Sequence, residues 1–391
     1  MARIAWDVKF VAALLLVGAA AWGDEPAVSA HKPFGLDKVV HFYMRYPDLK
    51  CQTFVTSPDW QSWKERGCVT GLTITHQSFL HPPTSVEQAA GILTGLDFKG
   101  NPNPVVTIDE FGWDYDGGID QHVMDILKAV HAKNPGLKLA VWQMRGPVAP
   151  ELAKVYRETV ELVMMETYDD LQNAWMIPFQ LQTARCNGIL DKTIIGLGLG
   201  TETDGSPWTR TAEELRQQLA LIRLVAPESP GVAFFGNLRK DEKSACQITA
   251  EQMDQIVGGF NQIPTDGRDL KPELLALGQK FTKRYDGPAI FCSNQFMMCW
   301  FHSGFDGGPW GTLHQPVAAR VQLMNLGQQD AKGVTVTLRD LKDAAKVLGS
   351  VTIDIPARST AVALVPGCGG WTASADLEVK VAEGEVFNFK R

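Results

Sequence analysis

The order of apolar segments in this chain implies an α/β protein: a TIM-type (β/α)8 barrel followed by a small C-terminal β-sandwich. Three observations carry that expectation. Strand-like segments alternate with helical patterns through the first two-thirds, capping boxes mark helix starts between them, and beyond residue 310 short alternating segments replace the helices.

The chain opens on a leader. Arg3 and Lys9 flank the apolar stretch Phe10 to Trp22, and small residues surround Ala21-Trp22-Gly23, which is the layout of a signal peptide over residues 1–23. The stretch is shorter than the roughly 20 apolar residues that span a bilayer. An exported protein is expected, cleaved near Gly23 or at Ala30, with no stable membrane insertion after the leader is removed.

A barrel is expected over residues 31–290. Its strand-like segments are Val39 to Met44, Gly71 to Thr75, Val105 to Asp109, Leu137 to Gln143, Leu162 to Thr167, Thr193 to Leu199 and Val232 to Phe235. They recur roughly every 25 to 40 residues, the rhythm of repeated β-α units. An eighth strand falls in Cys51 to Thr56 or near Ala289 to Cys292. Helical spacing links Ile119, Val123, Ile126, Leu127 and Val130, then Leu152, Val155 and Tyr156, then Leu215, Leu219 and Ile222. Ser85-x-x-Gln88, Thr211-x-x-Glu214 and Thr249-x-x-Gln252 have the capping-box form. An open doubly wound sheet would carry a nucleotide loop, and Gly196-Leu197-Gly198-Leu199-Gly200 lacks both the dinucleotide fingerprint and a following Gly-Lys-Ser/Thr. These glycines read instead as close packing on a barrel strand, with room above for a ligand.

The β-sandwich is expected over residues 310–391, in Val317 to Met324, Gly333 to Leu338, Ser350 to Ile355, Thr360 to Val365 and Leu377 to Val381. Its expected job is support of the barrel, with carbohydrate binding the lesser reading. The stretch Phe291 to Trp310 is either a seam between domains or a wall of the cleft.

Composition narrows the function. With 391 residues, a net charge of −7 and 45% hydrophobic residues, the chain has ample core and no basic surface with which to displace counterions from nucleic acid. Of the 7 cysteines, Cys51 with Cys68 and Cys292 with Cys299 are the local candidate pairs. No Cys-x-x-Cys recurs and the 8 histidines show no ligand spacing, so neither metal nor cofactor is expected. His41, His76 and His81 stand as candidate substrate contacts against the plainer reading of structural histidines.

Clustered carboxylates end two strands: Val105 to Glu110 closes in Asp109-Glu110, and Leu162 to Asp169 passes through Glu166. Acids at the carboxyl ends of barrel strands face the loops that form the cleft. Side-chain alternation turns Asp109 inward with Thr107, and turns Glu166 and Tyr168 inward if Met165 packs outward. One strand separates the two, so their backbones lie about 10 Å apart and their side chains can close to the roughly 5 to 9 Å used in glycosidic hydrolysis. Thr73, Thr75, Trp142 and Gln143 supply further tips, and aromatics such as Trp113, Trp142, Tyr168, Trp175 and Trp208 can stack on sugar faces.

With these strand ends the chain resembles exported barrel glycosidases, and is loosely similar to the chitinase-like family-18 glycoside hydrolases over residues 36–285. The matching features are Asp109-Glu110, Met165-x-x-Tyr168-Asp169, the Gly-rich end at Gly196 to Gly200 and the aromatic end at Phe234 to Asn237. The family's run of alternating aspartates closing in glutamate is absent, so its substrate-assisted mechanism and amino-sugar specificity are not carried over. The expectation is a glycoside hydrolase acting on an oligo- or polysaccharide. Glu110 would be the general acid/base, Glu166 or Asp109 the second carboxylate, and Tyr168, Trp113, Trp142, Gln143, His76, Asp169 and Asn237 the substrate contacts. The alternatives are a non-catalytic glycan-binding barrel and, last, a metal-dependent hydrolase using His76, Asp109 and Glu166.

Overall fold

The computed structural model describes residues 31–391 except positions 45, 47, 76–83, 112–118, 144–147, 169, 201–207, 237–245, 294–296, 303–312, 341–342, 344, 367–374 and 390–391. The expected leader lies outside the described residues, as do His76 and His81.

Eight parallel strands close into a TIM-type barrel: β1 (Val39–Phe42), β2 (Phe54–Thr56), β3 (Val69–Thr75), β4 (Val105–Phe111), β5 (Lys138–Gln143), β6 (Leu162–Thr167), β7 (Thr193–Leu199) and β8 (Gly231–Gly236). Closure falls on β1, which pairs with Phe54 through His41 on one side and runs against Gly231 to Phe234 on the other. Gly231 permits that approach, since a Cβ there would collide with the Val39 carbonyl. The eighth strand is therefore β2. The other segment considered, β9 (Ala289–Ser293), belongs to a C-terminal sheet.

Helices α1 (Trp60–Glu65), α2 (Val86–Thr94), α3 (Ile119–Lys133), α4 (Pro150–Thr159), α5 (Met176–Cys186), α6 (Ala212–Val225), α7 (Ala250–Gly258) and α8 (Pro272–Thr282) cover the strands. All three capping boxes form in full; at α2 the Gln88 N–H donates to Ser85 Oγ at 3.1 Å while the Ser85 N–H donates to Gln88 Oε1 at 2.9 Å. Strand alternation divides the core in two. Val106, Ile108, Leu139, Val141, Val163 and Met165 pack outward on the helices, whereas Val105, Ala140, Trp142, Leu162, Met164 and Ile194 fill the barrel. A single 3-10 turn at Pro33–Gly35 plugs the amino end. The Phe34 N–H donates to Glu161 Oε1 at 2.7 Å and its ring sits 4.8 Å from Phe54, which holds Phe34 at a left-handed φ of 59°.

After the barrel come β9, β10 (Met297–His302), β11 (Leu313–Asn325), β12 (Ala331–Asp340), β13 (Val347–Ile355), β14 (Ser359–Pro366), β15 (Ala375–Lys380) and β16 (Glu385–Phe389). A five-stranded sheet runs β10-β11-β9-β16 with β14 also on β11, and a three-stranded sheet runs β13-β12-β15. Their inner faces share one core of Ile290, Val321, Leu323, Val334, Val336, Ala363 and Leu377, the β-sandwich expected. It begins at Ala289, ahead of residue 310, because β9 is apolar on both faces and serves two cores. Ile290 and Cys292 face the sandwich interior, while Phe291 joins Trp175, Phe179, Phe281, Tyr285, Phe387 and Phe389 in an aromatic seam against the barrel helices. Trp175 stacks on Phe389 at 5.4 Å, Phe281 on Phe389 at 5.2 Å, and the Thr360 hydroxyl donates to Asn187 Oδ1 at 2.6 Å. The start of the stretch Phe291 to Trp310 is thus seam.

The pair Cys51 and Cys68 is not joined: both are free and buried, and the Cys68 thiol donates to the Gln52 carbonyl at 3.3 Å. Cys292 is also free, with its thiol on the Phe387 carbonyl at 3.6 Å, and burial pushes that thiol up to about 12. The side chain of Cys299 lies outside the described residues. Among the described residues no helix is long and apolar enough to cross a membrane.

Candidate active site at the carboxyl end of the barrel

The register of β4 is regular up to the acids and then breaks. Thr73 lies opposite Thr107 and Thr75 opposite Asp109 on β3, while on β5 Ile108 pairs with Val141 but Phe111 pairs with Gln143. One extra residue is therefore accommodated at Asp109-Glu110, a β-bulge of the kind that re-aims side chains at strand ends. Phe111 takes the next helix-facing position, fully buried against Tyr156. Asp109 keeps the inward parity of Val105 and Thr107 and is half-buried at the mouth, beside exposed Thr73 and Thr75. The side chain of Glu110 lies outside the described residues.

On β6 the parity holds as expected. Met165 packs outward with the helices, Met164 fills the barrel, and Glu166 follows two positions on, buried and opposite Gly196 of β7. Tyr168, the next inward position, is half-buried within an aromatic group at the mouth. Its ring stacks on Phe235 of β8 at 5.2 Å and lies 5.4 Å from Trp208 and 6.3 Å from Trp142.

The glycines of β7 explain how two indoles fit here. A Cβ on Gly196 would stand 2.5 Å from Trp142 Cζ3, and one on Gly198 would stand 2.6 Å from Trp208 Cδ2. Close packing is as expected, but the room above these glycines is taken by side chains of the protein itself. Trp142, expected as a sugar contact, has no exposed surface. It reaches from β5 across the barrel to His41 of β1, with ring centroids 5.7 Å apart, and forms the floor beneath Tyr43 and Tyr168.

His41 is structural. Its Nδ1 lies 3.0 Å from the Phe54 carbonyl, which can only accept, so Nδ1 carries the proton. Complete burial pushes the ring down to about 4, leaving it neutral. Two residues on, Tyr43 stands edge-on to Phe235 at 5.0 Å and to Trp142 at 6.0 Å, and its hydroxyl donates to Asp109 Oδ2 at 2.8 Å. Sequence reasoning passed over Tyr43 as one more residue of an apolar strand. The alternation Val39, His41, Tyr43, applied to β1 as it was to β4 and β6, places it at the mouth.

Gln143 is corrected. It lies on the helix-facing side, fully buried, where its Oε1 accepts from the Tyr156 hydroxyl of α4, because the inward position belongs to its neighbour Trp142. Trp175 belongs to the seam and not to the cleft. Trp113, His76, Asp169 and Asn237 lie outside the described residues. Among the described residues no group of three or more His, Cys, Asp or Glu side chains is placed to hold a metal ion. The mouth thus has polar residues on β3, β4 and β6, and aromatic rings from Tyr43, Tyr168, Trp208 and Phe235.

No protein-family model matches the chain, and neither does any curated protein. Among solved structures it is similar to the catalytic domain of a hyperthermophilic chitinase from Pyrococcus furiosus, at 12% identity over 58% of this chain and 96% of that one, with a TM-score of 0.42. A glucosidase from Croceicoccus marinus aligns at 12% identity over 91% and 96%, with a TM-score of 0.34. A chitinase from Bacillus thuringiensis aligns at 10% identity over 81% of each chain, with a TM-score of 0.36. The barrel assignment rests on the closed strand register itself.

Proposed function

We propose that the protein is an exported glycoside hydrolase that cleaves an oligo- or polysaccharide with carboxylates at the mouth of its barrel. What supports this reading is that strand parity turns Asp109 and Glu166 inward at the same end of β4 and β6, the end where Tyr43, Tyr168 and Phe235 gather. A single strand stands between them, which allows a separation of roughly 5 to 9 Å, the span over which paired carboxylates split an acetal. In that chemistry a neutral carboxyl gives its proton to the departing glycosidic oxygen. A carboxylate at the anomeric carbon then either attacks it or activates water. Glu110 is the general acid/base in this reading and Asp109 the charged partner, with Glu166 the other candidate for that second role.

The half-buried faces of Tyr168 and Phe235 suit the apolar face of a pyranose, with Trp208 behind them. Trp113, His76, Asp169 and Asn237 remain assigned to substrate contact.

The test is a panel of polysaccharides and aryl glycosides offered to the mature chain, followed by Glu110→Gln, Glu166→Gln and Asp109→Asn on any substrate cleaved. The expected result is a loss of 10²-fold or more in kcat for each variant, with the fold retained. Full activity in all three would remove the assignment. Binding of an oligosaccharide without turnover would favour a glycan-binding barrel instead.

A further inference from the structure

The Tyr43 hydroxyl spans the mouth. Tyr43 follows β1 and Asp109 lies near the end of β4, three strands further round the barrel, yet Tyr43 Oη donates to Asp109 Oδ2 at 2.8 Å. The ring cannot swing freely, because Phe235 and Trp142 hold it edge-on from two sides and its own N–H donates to the Phe234 carbonyl at 2.8 Å. We infer that Tyr43 is a positioning residue for the hydrolytic site, one that keeps Asp109 ionised and thereby divides the acids into a charged partner at 109 and a proton donor among the glutamates. This inference deepens the proposed function and rests on it.

The physical basis is direct. A phenol donates to a carboxylate far better than to a neutral carboxyl, so the bond stabilises the charged form of Asp109 and fixes one oxygen in place. An ionised Asp109 in turn discourages ionisation of any acid facing it. Among the described side chains at the mouth, the titratable groups are His41 and Tyr43 of the β1 segment and Glu166 and Tyr168 of the β6 segment, and Glu110 is next to Asp109 in sequence. The inward positions Thr73 and Thr75 of β3, Trp142 of β5, Gly196 and Gly198 of β7 and Phe235 of β8 do not titrate. His41 stays neutral above its depressed value.

Tyr43→Phe removes the donor and keeps the ring. With Asp selectively 13C-labelled at the carboxyl carbon, and Asp109 identified by its loss in Asp109→Asn, the titration midpoint of Asp109 is expected to rise by about one pH unit in Tyr43→Phe. On a glycoside that the wild type cleaves, the acidic limb of the kcat/KM profile is expected to move upward by the same amount. Over the same comparison kcat falls about 10-fold or more while KM and the melting temperature stay near their wild-type values. An unchanged Asp109 midpoint overturns the inference, and so does an unchanged acidic limb in an active enzyme. The NMR titration requires no substrate. A shifted midpoint in a protein that cleaves no glycoside therefore tells against the hydrolase reading while leaving the Tyr43–Asp109 coupling established, whereas activity with an unshifted midpoint does the reverse.

Discussion

The mouth and the seam are both built of aromatic rings at similar separations, yet only the mouth sets inward carboxylates beside them. At the mouth Tyr43, Trp142, Tyr168, Trp208 and Phe235 pack around two inward carboxylates, and three of the five rings keep some exposure. At the seam Trp175, Phe179, Phe281, Phe291, Phe387 and Phe389 pack on one another, with Met324 and Leu326 behind them. The lesson is that ring content does not separate a binding wall from a joint. What separates them is whether acids share the layer and whether the surface stays open.

That contrast can be broken at three levels. The largest effect is expected at the seam: Phe291→Ala should lower unfolding free energy by about 3–5 kcal/mol, since a fully buried ring leaves a cavity. The protein that remains folded should keep its wild-type kcat, a combination that denaturant melts and kinetics check together. An equal loss of kcat would show that the seam reaches the site.

Next comes the floor of the mouth, inside the barrel. His41 has its folded value near 4 against an ordinary 6.5, so above pH 6.5 neither state gains a proton and the histidine contributes no pH dependence. Between pH 6.5 and about 4 the unfolded chain binds a proton that the folded chain refuses. Stability is therefore lost as pH falls through that window, by on the order of 3 kcal/mol. Urea melts at pH 7 and pH 4.5 should differ less in His41→Gln than in the wild type; equal differences would mean that His41 is charged in the fold.

The smallest effect belongs to the open wall. Tyr168→Ala removes a half-buried ring, and KM for an oligosaccharide substrate should rise about 10-fold, or roughly 1–1.5 kcal/mol. A variant with unchanged KM would mark Tyr168 as packing alone, like the rings of the seam.

Much of the barrel could be read from residues because its signals are local and repeated. Seven strands and three capping boxes each declare themselves within a short window, and strand parity alone turned Asp109 and Glu166 inward. What escaped depends on contacts distant in sequence. Cys51 to Thr56 is one of two segments offered for the eighth strand, and only the pairing of β2 with β1 and β3 decides between them. Gln143 looked like a mouth residue because it ends a strand next to a tryptophan, and only the Tyr156 hydroxyl across the layer reveals its true side. The glycines of β7 advertised space, but the indoles that fill it come from β5 and from Trp208, beyond the strand itself. Trp175 and Trp208, alike as loop tryptophans, went to opposite ends of the story for the same reason.

The seam also sets an order of assembly. Phe291 comes directly after the barrel, but the rings that cover it, Phe387 and Phe389, are carried by β16, which runs parallel to β9 nearly a hundred residues later. Until that late segment arrives, Trp175 and Phe281 lack the Phe389 ring that stacks on both. A chain halted or clipped before β16 would leave a sticky patch on an otherwise finished barrel, so the sandwich acts as a final clasp whose absence is felt first as aggregation.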